Sequence, residues 1–349
     1  MVMGVMHRRG LPFVTDQPLV VFHGANAASF RAGIEDVIAS FIAAPVAIAV
    51  VADGLESLAD QALFQRADVI VSPRFSASAP RPVGLKLFQV PGAGTDAVDI
   101  AALPAGVTVC NCFGHEQAIA EYAFTAMLAR VVPLTDADRR LRGGDWAYYA
   151  GAADRAHGEL AGLTLGLLGF GHIGRAIAAR ARAFEMRVVV ANRSAVQANG
   201  DVDAYLPLDR LDAFWPQVDI IVVSVPLTPE TTGIVNAAAF RAMRPGAMLI
   251  NVGRGPTVDE AALFEALKTQ SIAGAAIDTW YAYPPGASTQ AAPGNLTFHE
   301  LPGLLMTPHM SGWTDGTIRR RQRSIAHNIA VALGGADRRY LNLVRKGAG

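Results

Sequence analysis

Short apolar runs recur along the chain, and the stretch between successive runs is long enough for one helix. Before residue 118 the runs are PLVVF, VAIAVVA, ADVIVS, LKLFQV and VTVCN, separated by segments with helical spacing such as Phe30 to Ile42. Runs that are apolar at consecutive positions, rather than alternating, predict strands buried on both faces and hence a parallel sheet covered by helices. In IAEYAFTAMLAR, Ile119, Tyr122, Ala123, Ala126 and Met127 fall on one stripe, which predicts a helix from about Ile119 to Arg130. A Gly/Trp/Tyr-rich stretch, RGGDWAYYAGAADRAHG, interrupts the alternation, which restarts at Leu163 with LTLGLLG, MRVVVAN, VDIIVVSV, AMLINV, IAGAAID and LLMTP. From Thr317 to Leu333 the period is again helical. The pattern predicts two α/β units, with the tail packing back on the first.

Length agrees: 349 residues, at roughly 150 per domain, suggest two domains. Thirty Lys and Arg balance thirty Asp and Glu, so there is no basic excess for gripping a nucleic-acid backbone. A chain 51% hydrophobic and 17% charged is not a disordered one. Cys110 and Cys112 are too few for a disulfide framework, and a single C-x-C is no zinc site; they read as buried thiols. The first residues, MVMGVMHRRGLPFVTDQ, lack the apolar stretch of a signal peptide, and no run reaches the ~18 apolar residues of a membrane span. The expectation is a cytoplasmic protein with no membrane or nucleic-acid partner and no metal.

GFGHIG, residues 169–174, directly follows the run LTLGLL and opens a helical stripe of Ile173, Ile177, Ala181 and Phe184. In this setting Gly169 permits a tight turn, Gly171 admits a pyrophosphate to the backbone, and Gly174 lets helix and strand approach. Helix N–H groups then face the phosphates, with Phe170, His172 and Ile173 completing the loop. The next run ends at Asn192-Arg193-Ser194, where an NAD-binding unit often carries an acidic residue for the ribose 2′-hydroxyl. A neutral Asn192 beside Arg193 favours NADP(H) over NAD(H), since a guanidinium can fork onto a 2′-phosphate. The competing reading has Asn192 bonding the hydroxyl and Arg193 in solvent.

In open α/β sheets ligands bind beyond the carboxyl ends of the strands. The later runs are followed by Pro226, by Gly253-Arg254, by Asp278 and by His309: a guanidinium, a carboxylate and an imidazole on successive strand ends. Here LTLGLLGFGHIGRAIA, VPLTPETTGIVN, INVGRGPTVDEAAL and MTPHMSGWT resemble the D-isomer-specific 2-hydroxyacid dehydrogenases. The stretch LKLFQVPGAGTDAVDIAALPAGVTVCNCFGHEQAIAEY is similar to that family's substrate domain. The resemblance implies two doubly wound parallel-sheet domains. A Rossmann-type nucleotide domain (119–312) would be inserted into a flavodoxin-like substrate domain (1–118 and 313–349), with substrate in the cleft. It also implies a homodimer, to which WAYYAG could contribute an arm.

The same resemblance implies the chemistry: hydride transfer between a nicotinamide and a 2-keto or D-2-hydroxy acid. Arg254 matches the arginine that clamps carboxylate and carbonyl, and His309 the general acid/base, a role suited to imidazole near neutral pH. Backbone of Ala93 and Gly94 would meet the substrate carboxylate. Val225, Pro226, Thr231, Val252, Gly253 and Gly312 would line the cofactor, and Asp278 its nicotinamide end. Most members place a glutamate five residues after that aspartate to support the histidine; here the position is Tyr283. A phenol can hold the ring but supplies little of the charge that raises an imidazole pKa by ~1–3 units. Three explanations stand: proton transfer continues with a lower-titrating His309; another acid, Glu116 or Glu300, supports it; or no relay is needed, as a glutamine there in formate dehydrogenases suggests. His115 stands where members often have Asn, and either donates to substrate or caps the next helix. Trp280, Tyr281 and Trp313 could wall the pocket. The alternative function is an NAD(P)-binding sensor or corepressor-like scaffold with weakened catalysis, since the family includes corepressors.

Overall fold

The computed structural model describes residues 17–151, 153–198, 200–284, 290–334 and 339–347. The chain divides into two compact units, Met1–Cys112 with Arg321–Gly349 and, between them in sequence, Phe113–Arg320.

In the first unit, β1 (Leu19–His23), β2 (Ala47–Val51), β3 (Val69–Val71), β4 (Leu87–Gln89) and β5 (Thr108–Cys110) pair in parallel. Every predicted apolar run here forms a strand. Residues 30–42 do not form the single helix their spacing predicts. Gly33 adopts φ +71°, a left-handed conformation, and the helix is only Ile34–Ala39. Two more strands among the described residues, Ala204–Pro207 (β8) and Leu343–Arg345 (β13), lie outside the predicted runs. β13 (Leu343–Arg345) runs antiparallel on β5 at one end of the order β13-β5-β4-β3-β1-β2. Three residues long and half-exposed, it carries no apolar period to read. Its place is set by a buried amide pair instead. Asn328, on the helix Asp315–Ala332, donates to Gln89 Oε1 (2.8 Å) and Leu341 O (3.0 Å), and accepts from Leu341 N (2.8 Å). Burial pushes the Cys110 and Cys112 thiols up to about 12, so neither is a thiolate at neutral pH.

Among the described residues, the second unit has seven parallel strands in the order β12-β11-β10-β9-β6-β7-β8. They are β6 (Thr164–Leu168), β7 (Arg187–Asn192), β8 (Ala204–Pro207), β9 (Ile220–Val223), β10 (Met248–Asn251), β11 (Gly274–Ile277) and β12 (Leu304–Met306). β8 escaped the apolar pattern because it is a half-exposed edge strand. Side chains alternate between two cores: Leu165, Leu167, Val188 and Val190 face the helices Glu116–Val131 and His172–Ala181, while Leu168, Val189 and Val223 pack with Phe214, Phe240 and Leu249. The sheet is therefore covered on both faces, as the continuous apolar runs require. Connections leave β6 toward β7 on one side and, after the crossover, β9 on the other. That switch point opens a crevice at the strand ends.

Candidate functional site

At the end of β6, Gly169 turns the chain at φ +102° and its N–H donates to Ala191 O at 2.8 Å. Gly171 caps the helix His172–Ala181 without a side-chain bond, and a Cβ there would meet nothing within 4 Å. A Cβ on Gly174 would lie 2.5 Å from the Gly169 carbonyl oxygen, so helix and turn pack at a distance only glycine allows. First-turn N–H groups with no cap, beside open space, fit a pyrophosphate. His172 stacks on Phe113 (4.0 Å, 19°), the Arg175 guanidinium lies 5.5 Å above the Phe170 ring, and Ile173 packs into the core.

Asn192 uses both ends of its amide within the protein: Oδ1 accepts from Phe170 N (3.2 Å) and Nδ2 donates to Ser194 O (2.9 Å). It ties the glycine loop to the loop after β7. Arg193 and Ser194 are exposed. Hydrogen bonding from Thr228 first, and the Arg193 charge last, hold the Glu230 carboxyl below its usual range. This acidic neighbour of Arg193 carried no signal in the sequence pattern. After β9, Val225 is buried, and Thr231 Oγ1 donates to Pro226 O (2.6 Å) while accepting from Thr228 N (2.8 Å), which closes that loop on itself.

Beyond β10, Asn251 accepts from Gly253 N (3.1 Å) and donates to Arg254 O (3.1 Å), with Val252 buried alongside. Arg254 is half-buried and extended, its Nη1 donating to Gly253 O at 2.9 Å. A Cβ on Gly255 would overlap the Trp280 carbonyl, so this loop packs directly on the one after β11.

Asp278 is fully buried and its N–H donates to Asn251 O (3.1 Å). Its carboxylate accepts from Thr307 Oγ1 (2.6 Å), Met310 N (2.8 Å) and Ser311 N (3.0 Å). Those donors flank His309, which sits at φ +57°, rare for a residue with a Cβ. Asp278 thus anchors the histidine loop, a role that its expected place at the nicotinamide end did not include. Tyr122, whose phenol burial pushes up, bonds Thr307 Oγ1 from the other side (2.8 Å). The Tyr283 hydroxyl lies 2.9 Å from His309 Nδ1 and accepts from Trp280 N at 3.2 Å. Trp280, buried, also donates Nε1–H to Thr307 O (2.8 Å).

Of the other named residues, Glu116 accepts from Gly114 N (2.8 Å), and exposed Glu300 stands 4.0 Å from His299. His115 occupies the N-cap of the helix Glu116–Val131, but its side chain makes no capping bond; the capping reading is corrected. Its Nδ1 is 3.8 Å from Glu116 Oε2, and a Cβ on Gly312 would sit 3.3 Å from its Cβ. In the first unit, Ala93 and Gly94 lie on a turn held by Asn111 Nδ2 to Ala93 O (2.8 Å) and Cys112 N to Gly92 O (2.9 Å). Tyr281 is half-buried and stacks on Phe298, and Trp313 is exposed.

A doubly wound parallel sheet with an uncapped glycine-loop helix at its switch point is a dinucleotide-binding domain. Residues 124–311 match the family description "D-isomer specific 2-hydroxyacid dehydrogenase, NAD binding domain". Over 267 residues the chain is 35% identical to the glycerate dehydrogenase of Methylorubrum extorquens, covering 72% of this chain and 77% of that one. It is 33% identical over 234 residues to the D-3-phosphoglycerate dehydrogenase of Archaeoglobus fulgidus, covering 66% of this chain but only 42% of that longer protein. A solved NADPH-dependent glyoxylate/hydroxypyruvate reductase from Sinorhizobium meliloti, in complex with NADP and malonate, superposes with a TM-score of 0.71 at 26% identity, covering 95% and 98% of the two chains. The chain belongs to the D-isomer specific 2-hydroxyacid dehydrogenases, and it is an NAD(P)-dependent oxidoreductase of 2-hydroxy acids.

Proposed function

We propose that this enzyme interconverts a small 2-keto acid and its D-2-hydroxy acid, with NADP(H) favoured over NAD(H). The observation that carries the reading is the placement of Arg254, Asp278 and His309 beyond the ends of three neighbouring strands, β10, β11 and β12. Adjacent strands lie about 4.8 Å apart, so the arginine and histidine loops leave the sheet about 10 Å apart, a span that a small keto acid between two long side chains bridges. Arg254 clamps the carboxylate and carbonyl oxygen, and His309 gives a proton in reduction and takes one in oxidation. Ala93, Gly94 and His115 are the proposed further substrate contacts. When bound, the reduced nicotinamide supplies the hydride. The glycine-loop N–H groups hold its pyrophosphate, with Val225, Pro226, Thr231, Val252, Gly253, Asp278 and Gly312 lining its site.

A carboxylate at position 192 would repel a 2′-phosphate; the neutral Asn192, its amide already on backbone, leaves exposed Arg193 and Ser194 to receive one. A panel of glyoxylate, hydroxypyruvate and larger 2-keto acids, run with NADPH and with NADH, tests both parts. NADPH is expected to be preferred by more than about threefold, and Arg193→Ala to remove the preference. A smaller ratio overturns the cofactor assignment. Dinucleotide binding without turnover of any keto acid moves the reading to a sensor or scaffold.

A homodimer and a cytoplasmic location go with this proposal. Leu134 (74% exposed), Trp146 (60%) and Tyr149 (61%) stand on the surface of the 134–151 segment, which supports an arm onto a second copy. Sedimentation should give twice the monomer mass, and Trp146→Asp should shift it toward the monomer. A monomeric wild type at micromolar concentration removes the idea. No single described helix is long and apolar enough to cross a membrane.

A further inference from the structure

In place of the family's carboxylate, the Tyr283 hydroxyl stands beside His309, within hydrogen-bond distance of Trp280 N and His309 Nδ1. Trp280 N–H can only donate, so at 3.2 Å it occupies a lone pair of the Tyr283 oxygen. His309 Nδ1 lies 2.9 Å from the same oxygen, and it receives the phenol's proton when that nitrogen is unprotonated. An imidazole that accepts at Nδ1 carries its proton on Nε2. Other charged and titratable groups stand on the elements around the ring. Asp278 is bonded by Thr307, Met310 and Ser311; Tyr122 is bonded to Thr307; Arg254 lies on the next loop but one; and burial first, then the Glu260 and Asp259 charges, raises the Tyr281 phenol. Tyr283 itself is 48% exposed, so its oxygen has access to water.

We propose that Tyr283 is a positioning residue that keeps His309 neutral with its proton on Nε2, and that its hydroxyl refills the histidine during reduction. This rests on the reaction proposed above. As the keto carbon is reduced, the O–H bond of the product forms with the Nε2 proton, and the Nε2–H bond breaks. Nδ1 takes the phenol proton in the same movement, so the imidazole ends neutral with its proton on the other nitrogen. The phenolate oxygen left behind is held by Trp280 N–H and the new Nδ1–H, and takes a proton from water. One proton is consumed, as reduction of a ketone by hydride requires. The imidazolium is never needed. Reduction therefore continues above the pH where a free imidazole has lost its charge, about 6.5, and declines only as a phenol ionises, near 10.

Three variants and one spectrum test this. In the free protein, nitrogen-15 spectra of labelled histidine should show His309 at pH 8 with a pyrrole-type Nε2 and a hydrogen-bonded pyridine-type Nδ1. For wild type, kcat/KM for reduction should stay level between about pH 6.5 and 9. Tyr283→Phe removes a half-exposed hydroxyl and should fold normally. It must use the imidazolium, so its rate should match wild type near pH 6 and be about 100-fold lower at pH 8.5, losing tenfold per unit. Tyr283→Glu restores the family's charge and should move the falling limb upward from that of Tyr283→Phe by ~1–3 units. Tyr283→Gln can still donate to Nδ1 but cannot release a proton; it should keep the Nε2–H spectrum at pH 8 and be about 100-fold slower than wild type at pH 8.5, as Tyr283→Phe is. A Tyr283→Phe profile identical to wild type, or a wild-type spectrum with the proton on Nδ1, overturns the proposal. If no keto acid is reduced by any form, the reaction assignment fails instead, and the tautomer spectrum still judges this one.

Discussion

Arg254→Ala is expected to lower kcat/KM by roughly two to three orders of magnitude on whichever 2-keto acid the wild type reduces best. Removing one member of a buried, hydrogen-bonded charge pair costs ~2–5 kcal/mol, and the lost partner here is the substrate's own carboxylate. Loss should appear in both kcat and KM, because the same planar fork holds the carboxylate in the ground state and polarises the carbonyl as negative charge develops on its oxygen. The fold should survive. Arg254 Nη1 donates to Gly253 O, whereas the loop is held through its backbone carbonyl by Asn251 and Thr257 (2.6 Å). Arg254→Lys keeps the charge without the fork and should recover only part of the rate. Wild-type-like turnover by Arg254→Ala removes the assigned chemistry altogether.

The second large effect belongs to Asp278→Ala. Three donors would lose their acceptor in a site closed to water, at about 1–3 kcal/mol for each group left unsatisfied. The unfolding midpoint should drop by about 10 °C or more for a unit of this size. Catalysis should fall further than stability accounts for. Without that carboxylate the backbone at His309 loses two of the bonds that flank its φ of +57°, and the imidazole is expected to shift from its position beyond β12. Fluorescence titration with the dinucleotide distinguishes the roles of this residue. If Asp278 acts chiefly on the histidine loop, affinity changes by less than about tenfold while kcat drops by more than about 100-fold. A loss confined to dinucleotide affinity would show that its contact with the nicotinamide end dominates.

Legibility in the sequence follows burial. Each of the eleven apolar runs is a strand, and all of them but the edge strands β2 and β12 are largely buried, which leaves an unbroken hydrophobic trace. The two strands without such a trace, β8 and β13, are half-exposed edges whose positions come from pairing partners distant in sequence. Gly33 shows the opposite failure. Helical spacing continues through Phe30–Ile42, but one left-handed residue breaks it, and a hydrophobic period carries no information about φ.

At the site the division is similar. GFGHIG announced its own geometry because the turn at Gly169 and the close approach of Gly174 to the Gly169 carbonyl are demands met within six residues. His115 was ambiguous between cap and ligand, and the absence of a side-chain cap became visible only with the helix built.

What the amino-acid order alone determined is the architecture and the inventory: two α/β units, a phosphate-binding loop, and a guanidinium, a carboxylate and an imidazole on strand ends. Local steric and hydrophobic rules act over a few residues and are written directly in the chain. Only the tertiary structure decided the connections among those groups. Asp278 fixes the loop of a histidine 31 positions later, and Tyr283 reaches that histidine while bonded to the backbone of Trp280. Hydrogen bonds depend on distances of a few tenths of an ångström between atoms far apart in sequence, and no periodicity records them.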